Sequence, residues 1–393
     1  VVSNNTFSTA KSEEIVSNST ISTAKNEEEV VSNNTISTTK SEDKTQVESC
    51  VKPVLLGKSA TEIAEFIPSY PKYTAKQIFD FLNEGKDFAE MTSLKRELRD
   101  FLTENFVGNP IKIKDIFVGK SGAKKYLFQL VDGNLIEGVY MLHDYGNTLC
   151  LSTQIGCRMG CAFCASGLDG LLRNLTAAEM LGQVIAVNFD NGGTVKNRAV
   201  TNLVLMGSGE PFDNYDNVLC FLDKVSNEKG INISERNISL STSGLADKIR
   251  SFADSGHKVT LSISLHAPFD ELRSSLMPVN KKFNIAAVVA SARYYFEKTG
   301  RRVIFEYTLI AGENDSEICA KELARLTHGF PTHVNLIRLN VVKERDFKSP
   351  SEDTAKEFLN QLEKFGVSAT IRKSLGGDIE GACGQLRRKY LNL

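Results

Sequence analysis

Three cysteines, Cys157, Cys161 and Cys164, lie close together in the spacing C-x₃-C-x₂-C. Only a short loop brings three thiols so near to one another, and neighbouring thiolates repel unless a soft metal or cluster lies between them. Cysteine thiolates are the usual ligands of iron–sulfur clusters, whereas a structural zinc site normally has four ligands, often in two separated pairs. Three ligands suit a 4Fe-4S cluster in which one iron stays open. This spacing therefore predicts a cluster with an open, reactive iron.

The size of the chain allows several domains or one large barrel. It has 393 residues, of which 41% are hydrophobic, so two to three domains are expected unless one α/β barrel fills most of it. We find no run of 18 apolar residues and no apolar signal-peptide core, which predicts a cytoplasmic protein without a membrane span. Eight cysteines are few for this length, and four crowd between Cys150 and Cys164. This favours a metal or redox site over a disulfide scaffold.

Charge is unevenly distributed along the chain. The formal net charge is −1, but the first fifty residues carry −4 and the remainder +3. These first residues repeat a polar unit that starts Val2-Ser-Asn, Val16-Ser-Asn and Val31-Ser-Asn, which predicts a disordered tail over 1–52 that is irrelevant to the chemistry. Because the remainder is only mildly basic, any contact with RNA must come from local basic clusters.

Two small modules are predicted before the cysteines. Residues 53–108 read as a helical accessory domain, in which Ser59 and Thr74 each begin a capping box and Leu94, Leu98, Phe101 and Leu102 mark a third amphipathic helix. Its basic side chains form either a solvated face or an RNA contact. Residues 109–147 alternate apolar and polar positions, with a hairpin turn at Asp132-Gly133. We interpret them as a β-rich linker.

From residue 148 to 390, strand-like runs alternate with helical stretches, which predicts a parallel sheet with right-handed crossovers. About six such units match a partial (β/α)₆ barrel, whose chemistry lies at the carboxyl ends of the strands. The predicted strands are 148–152, 202–206, 237–241, 260–264, 303–309, 333–339 and 368–372. The clearest helices are predicted over 177–188 and 286–298.

Polar residues follow several of these strands. In Gly207-Ser-Gly-Glu-Pro211, two glycines let the backbone approach a ligand and the Glu210 carboxylate can receive an ammonium group, although an ordinary turn fits equally well. Hydroxyl groups and one imidazole end the next strands and suit a nucleoside-type cofactor, although a lone histidine is more often structural. The residues concerned are Ser241, Ser264, His266 and, after a later strand, Asn340.

The sequence allows more than one role for each of two cysteines outside the C-x₃-C-x₂-C motif. Cys150 precedes Cys157 by seven residues, and Cys383 lies among small residues near the carboxyl end. Each could be a fourth cluster ligand or a buried inert thiol, and the small-residue setting of Cys383 also suits a nucleophile. Cys50, Cys220 and Cys319 are expected to be buried and inert.

Taken together, these motifs resemble the RlmN family of radical S-adenosylmethionine (SAM) methyltransferases, which act on carbon 2 of adenine in 23S rRNA and tRNA. The related Cfr proteins, which methylate carbon 8 of the same rRNA adenosine, share most of them. The resemblance covers residues from about 55 to 390. It rests on the segments Cys150–Cys157, Arg173–Thr176, Met206–Pro211, Ser264–Pro268, His333–Ile337 and Gly381–Leu386.

The resemblance implies a role for each candidate residue. Cys157, Cys161 and Cys164 would hold one 4Fe-4S cluster. Contact with SAM would come from Gly209, Glu210, Ser241, Ser264, Leu265, His266 and Asn340, of which Asn340 is the weakest match because Arg338 and Val341 replace prolines usual in the family. The catalytic residues would be Cys383 as methyl carrier, Cys150 as its resolving partner and Glu137 as proton acceptor.

The resemblance also implies a reaction with two SAM molecules per turnover. The first methylates Cys383, and the second yields a 5′-deoxyadenosyl radical that activates this methyl group for addition to the base. A protein–RNA thioether results, and attack by Cys150 releases the product and leaves a disulfide. The implied substrates are an adenosine in the peptidyl-transferase centre of 23S rRNA and adenosine 37 of tRNA. A reductant such as flavodoxin or ferredoxin is required, and a monomer is expected; the alternatives are carbon-8 methylation or another radical SAM reaction.

Overall fold

The computed structural model describes residues 52–372 together with Arg388 and Tyr390. The expected polar tail, Cys50 and the Cys383 segment lie outside the described residues. The described residues from Lys52 onward belong to one compact unit. Within the described part of the chain, no helix is both long and apolar enough to cross a membrane.

Three short helices open the described chain: α1 (Ala60–Phe66), α2 (Lys72–Asn83) and α3 (Arg96–Asn105). The capping box predicted at Ser59 is present, because its hydroxyl accepts from the Glu62 N–H and the Glu62 carboxylate accepts from the Ser59 N–H. The second predicted box is wrong. Helix α2 begins two residues before Thr74, with Pro71 at its N-cap, and Thr74 is buried inside the helix.

An antiparallel meander follows: β1 (Ile111–Val118), β2 (Lys124–Leu130) and β3 (Leu135–Met141). The predicted turn at Asp132-Gly133 connects β2 to β3. Gly133 has φ +82°, and the Leu130 N–H donates to the Asn134 carbonyl to close the hairpin. The β-rich linker is therefore a three-stranded extension of the main sheet.

The main sheet continues through seven mutually parallel strands in the order β4-β7-β8-β9-β10-β11-β12. They are β4 (Thr148–Cys150), β7 (Asn202–Leu205), β8 (Ile238–Thr242), β9 (Thr260–Ser264), β10 (Val303–Leu309), β11 (Thr332–Arg338) and β12 (Ala369–Ile371). The connecting helices are α4 (Ala177–Asp190), α5 (Tyr215–Val225), α6 (Ala246–Asp254), α7 (Asp270–Leu276), α8 (Ile285–Thr299), α9 (Glu317–Thr327) and α10 (Glu352–Lys364). Six helical crossovers join the seven strands, which confirms the partial α/β barrel. A separate two-stranded pair, β5 (Gln154–Gly156) and β6 (Leu171–Asn174), stands outside this sheet.

The two faces of the parallel strands differ in polarity. On β10, Val303, Phe305 and Tyr307 are fully buried and belong to the hydrophobic core that the helices share. The alternating positions, which include Glu306, face the opposite side of the sheet. Glu306 pairs in register with Ser264 of β9 and with Asn335 of β11. We call this polar side of the sheet the luminal face.

Candidate active site

The cluster loop is the segment 157–170 between β5 and β6. Its stem is closed by the Cys157 N–H, which donates to the Gly170 carbonyl at 2.9 Å. Gly156 has φ +77°, and a Cβ at this position would lie 2.0 Å from the Gly170 oxygen, so only glycine fits. The far side of the loop is tied to the end of α7, because the Ala162 N–H donates to the Leu276 carbonyl at 2.8 Å.

The three thiols of the loop influence one another electrostatically. Burial raises the pKa of the Cys157 thiol to about 12, and the charges of Glu210 and Cys164 add to the effect. Burial also raises the pKa of Cys161, again with contributions from Cys164 and Cys157. Such thiols become good ligands only when a cation offsets their negative charge.

This donor set fits a cluster better than a single ion. Within the described part of the chain, no three His, Cys, Asp or Glu side chains converge on a position suited to one metal ion. In an iron–sulfur cluster each cysteine binds its own iron, so the three sulfurs need not converge. Cys157, Cys161 and Cys164 are partly exposed and lie on one loop, as cluster ligands require.

The glycines beside Glu210 serve packing within the protein. A Cβ on Gly207 would lie 2.5 Å from the Leu151 carbonyl oxygen, and a Cβ on Gly209 would lie 2.7 Å from Thr153 Oγ1. The loop after β7 is therefore pressed against the segment that leads from β4 into the cluster loop. The sequence suggested ligand approach as the reason for these glycines, whereas their close contacts in the structure are with this segment.

The carboxylate of Glu210 is buried at the carboxyl end of β7. Its Oε1 accepts from the Phe212 N–H at 3.0 Å, and its Oε2 accepts from the Ser243 N–H at 2.6 Å. Burial raises the pKa of Glu210, and these hydrogen bonds oppose the rise. Glu210 thus joins the loop after β7 to the loop after β8.

His266 has a strained backbone and a defined tautomer. Its φ of +55° is unusual for a residue other than glycine, and its ring packs edge-on against Phe163 of the cluster loop at 5.0 Å between centroids. Nδ1 accepts from the Thr308 N–H at 2.9 Å, so the ring proton must lie on Nε2. Burial, with a smaller contribution from the charge of Arg273, lowers the pKa of His266 to about 3. The imidazole is therefore neutral and offers a donor at Nε2.

The other predicted SAM contacts differ in how far their side chains are buried and in where they lie. Ser241 of β8 pairs with Ser262 of β9, and Ser264 lies two residues further along the same face. The Leu265 side chain is fully buried in the hydrophobic core, so only its main chain could reach a ligand. Asn340 is exposed beyond β11.

Several buried oxygens near the carboxyl ends of the strands have no hydrogen-bond partner within the described part of the chain. They are Thr153 Oγ1, Ser243 Oγ, Ser262 Oγ and Glu306 Oε2, of which the last lies 3.5 Å from the Arg372 guanidinium in an ion pair. Buried polar atoms are rarely left in this state, and a ligand rich in amino, carboxylate and hydroxyl groups can satisfy them. The luminal face therefore fits SAM. Neither Ser262 nor Glu306 was predicted as a site residue. Alternation along β9 could have placed Ser262 on the same face as Ser264, whereas the position of Glu306 depends on the register between β9 and β10.

Arg273 is a third residue that was not predicted from the sequence. It is fully buried, and its guanidinium donates to the carbonyls of Ser243, Ser264 and Leu265 at 2.7 to 3.1 Å. It also donates to Asn280 Oδ1 at 2.8 Å. Burial lowers the pKa of Arg273 to about 10. One side chain thus clamps the loops after β8 and β9, which carry predicted cofactor contacts.

The structure brings two of the three predicted catalytic residues together. Cys150 and Glu137 line one cavity of about 10 Å³ together with Ser152 and Ser208. Cys150 is buried, and the Ser152 hydroxyl donates to the Glu137 carbonyl at 2.7 Å. Cys383, the third, lies outside the described residues. Of the cysteines expected to be inert, Cys319 is buried as predicted, whereas Cys220 is exposed and that prediction is wrong.

Comparison with known proteins decides the family. The profile of the Radical SAM superfamily matches residues 151–320. A protein of Alkaliphilus oremlandii named "Probable dual-specificity RNA methyltransferase RlmN" is 49% identical over 341 residues, which cover 86% of this chain and 98% of that protein. The chain belongs to the RlmN family.

Two further matches agree with this membership. A protein of the same name from Clostridium perfringens is 49% identical over 81% of this chain and 91% of its own length. The crystal structure of a radical SAM methyltransferase from Sphaerobacter thermophilus covers 85% of this chain and 98% of its own, with 41% identity and a TM-score of 0.80. Membership of the RlmN family implies an iron–sulfur cluster and SAM as cofactors.

Proposed function

We propose that this chain is a radical SAM RNA methyltransferase that methylates carbon 2 of an adenosine in the peptidyl-transferase centre of 23S rRNA and of an adenosine in tRNA. The names of its relatives support RNA as the substrate class. The observation that carries the proposal is the cavity shared by Cys150 and Glu137. It lies beside the segment that leads into the cluster loop, where a resolving thiol and a base are both needed.

The residues divide into three groups by role. Cys157, Cys161 and Cys164 hold one 4Fe-4S cluster. When bound, the cluster and two SAM molecules per turnover supply the radical and the methyl group. SAM is contacted by residues on the luminal face and in the loops at the strand ends, namely Gly209, Glu210, Ser241, Ser264, Leu265, His266 and Asn340. His266 donates through Nε2, since its Nδ1 is engaged by Thr308.

The proposed release step balances as a thiol exchange. When the methylene carbon on Cys383 Sγ has bonded to the ring carbon of the base, the adduct loses one electron, which the cluster would take up, and Glu137 accepts the proton that leaves this ring carbon. Cys150 Sγ then forms a bond to Cys383 Sγ while the bond from Cys383 Sγ to the methylene carbon breaks. That carbon takes up a proton and becomes the methyl group of the product. The two thiols end as a disulfide, which an external reductant must reduce before the next turnover.

The proposal extends to partners and location. We propose that flavodoxin or ferredoxin supplies electrons, that the protein works in the cytoplasm and that it acts as a monomer. The helical accessory domain over 53–108 would contact RNA beside the barrel over 148–390. Two basic side chains of this domain already form ion pairs on their own helices, Lys76 with Asp80 and Arg96 with Asp100.

Mass spectrometry of the modified nucleosides tests the proposed product. Purified enzyme is incubated anaerobically with SAM, a reductant and unmodified 23S rRNA or tRNA, and the nucleosides are released by digestion. Methylation at carbon 2 in both RNAs is expected. Methylation at carbon 8 would instead identify a Cfr-like enzyme, and 5′-deoxyadenosine without methylated RNA would indicate another radical SAM reaction.

Two cysteine variants test the mechanism. Cys383→Ala should abolish methylation, whereas Cys220→Ala, which alters an exposed thiol on α5, should methylate at the wild-type rate. Cys150→Ala should accumulate a protein–RNA adduct that survives denaturing electrophoresis, because the thioether forms but is not resolved. Retained methylation by Cys383→Ala would overturn the methyl-carrier role.

A further inference from the structure

A lysine and a glutamate form an ion pair in the interior next to Cys150. Lys125 Nζ lies 3.0 Å from Glu137 Oε2, and the two side chains are 0% and 4% exposed. Burying both charges demands a large desolvation free energy, and replacing such pairs by apolar residues is often neutral or stabilising. The pair is therefore weak evidence for a role in stability, and its position suggests a role in the reaction.

Strand register places this pair on the luminal face. Lys125 of β2 stands opposite Val139 of β3, and Val139 stands opposite Cys150 of β4. Residues opposite one another in a sheet share a face, and so do residues two apart on one strand. Lys125, Glu137 and Cys150 therefore face the same side, which continues into the luminal face.

The cavity completes the arrangement. Glu137 and Cys150 both line it, and its volume of about 10 Å³ is close to what a single water molecule occupies. Ser152 and Ser208 add polar groups to its wall. Lys125 thus holds the carboxylate of Glu137, and Glu137 lines the same cavity as Cys150, whose thiol acts after proton removal in the proposed reaction.

We infer that Lys125 is a positioning residue for proton transfer, whose buried ammonium group fixes the Glu137 carboxylate beside Cys150. The inference rests on the proposed function, in which Glu137 accepts the ring proton. Lys125 does not touch the substrate in this scheme. It aims the carboxylate and balances its charge, so that the base is ready when the thioether has formed.

The physical consequence of removing the ammonium group is specific. A carboxylate that loses its cation in a buried site takes up a proton at pH values where an exposed carboxylate is charged. Glu137 would then be unable to accept the ring proton near neutral pH. Steps that precede proton removal, including cleavage of SAM and methylation of Cys383, do not depend on Glu137.

The test compares Lys125→Met with Lys124→Met. Methionine keeps the length and apolar stem of lysine and removes its charge. Lys124 is the matched control, because it is the neighbouring residue on β2 and its side chain lies on the other face of the sheet. There its Nζ lies 3.1 Å from Asp190 Oδ2. Full-length holoenzyme is incubated with SAM, a reductant and a tRNA substrate under single-turnover conditions. Protein–RNA adduct and released methylated RNA are measured from pH 6 to pH 9.

Lys125→Met should release product at least about tenfold more slowly than wild type at pH 7, the scale expected for an impaired general base. It should also accumulate the adduct, and its release rate should rise with pH more steeply than that of wild type. Lys124→Met should match wild type in all three respects. Lys125→Arg, which restores a cation, should recover part of the release rate.

Wild-type release by Lys125→Met, or a pH profile that coincides with that of wild type, would overturn the inference. Normal SAM cleavage by Lys125→Met shows that the variant is folded; if the variant does not fold, Lys125→Arg and its pH profile decide. Failure of the proposed function looks different. In that case Cys150→Ala yields no adduct and Cys383→Ala keeps methylating, whatever the behaviour of the Lys125 variants.

Discussion

Gly209 shows why single residues of the site cannot be exchanged. It combines φ +112° with contacts of 2.7 to 2.8 Å from a built Cβ to the Thr153–Gln154 segment. Gly209→Ala should therefore destabilise the protein by about 2–5 kcal/mol, since left-handed strain costs about 1–2 kcal/mol and overpacking about 1–3 kcal/mol. Urea unfolding with circular dichroism measures the change in free energy.

Gly256 is the matched control for Gly209. It also has a positive φ, +88°, but a Cβ there meets nothing within 4 Å. Gly256→Ala should lose only the strain component, about 1–2 kcal/mol. Equal losses of unfolding free energy in the two variants would show that close packing of Gly209 against the Thr153–Gln154 segment contributes nothing to stability.

His266 should give the protein a measurable pH dependence. Its pKa is near 6.5 when exposed and is lowered to about 3 by burial. The sign follows from linkage: stability from keeping this histidine neutral is fully present above pH 6.5 and is lost as pH falls toward 3, because only the unfolded chain takes up the proton. Between pH 7 and pH 5, His266→Gln should lose less stability than wild type.

The difference for His266 is best measured as a slope. The free energy of unfolding from urea titrations is plotted against pH for both proteins. This slope is proportional to the number of protons that the chain takes up on unfolding. Near pH 5 that number should be larger for wild type than for His266→Gln by up to about one proton. Parallel curves would contradict a buried, neutral imidazole at this position.

At the scale of elements, Arg273 joins two βα-loops that share no strand. Its replacement by methionine leaves buried carbonyls of Ser243, Ser264 and Leu265 without this donor. Each buried unsatisfied group costs about 1–3 kcal/mol, so Arg273→Met should be destabilised by about 3 kcal/mol or more and should bind SAM more weakly. Calorimetric titration of the reconstituted enzyme with SAM measures the second effect.

Arg293 provides the comparison for Arg273. Its guanidinium also donates to main-chain carbonyls, those of His328 and Gly329, but at sites that water can reach. Arg293→Met should therefore change stability by less than about 1 kcal/mol and leave SAM affinity unchanged. If the two variants were equally affected, the burial of Arg273 would not be the cause.

The elements themselves were predictable to different degrees. The strands 260–264 and 303–309 were predicted with the bounds observed. Each is a run of alternating or continuous apolar residues with polar segments on both sides. The pair β5–β6 was not predicted, because its strands have three and four residues and are separated by the whole cluster loop. Helix α2 begins at Lys72, because Pro71 has the extended backbone conformation of an N-cap residue. The capping-box pattern that begins at Thr74 therefore predicted the helix start at the wrong residue.

The site was predictable where its residues carry a local signal. Cysteine spacing marks the cluster loop, and strand ends mark Glu210 and His266. Arg273 carries no such signal, since Asp270-Glu-Leu-Arg273 reads as an exposed helical turn and only the packed structure buries its guanidinium. The ion pair of Lys125 with Glu137 depends on the register between β2 and β3, which the sequence of either strand alone does not determine.

At the scale of the whole molecule, the helical module and the barrel share one core. Buried side chains of α1 to α3 and of the barrel helices belong to a single hydrophobic cluster. Lys224 of α5 donates to the Gly57 carbonyl at 2.6 Å, and Gly85 is packed against Phe189 of α4. The sequence predicted separate modules from changes in pattern, but patterns along the chain do not show which apolar faces meet.

A shared core predicts that module and barrel unfold together. The chain contains no tryptophan, so a single introduced tryptophan reports local unfolding by its fluorescence. Phe81→Trp on α2 and Phe296→Trp on α8 replace partly buried aromatic residues that pack against this core. Both variants should lose fluorescence at the urea midpoint of the circular dichroism transition. An earlier midpoint for the α2 probe alone would mean that the helical module is an independent folding unit, free to move when RNA binds.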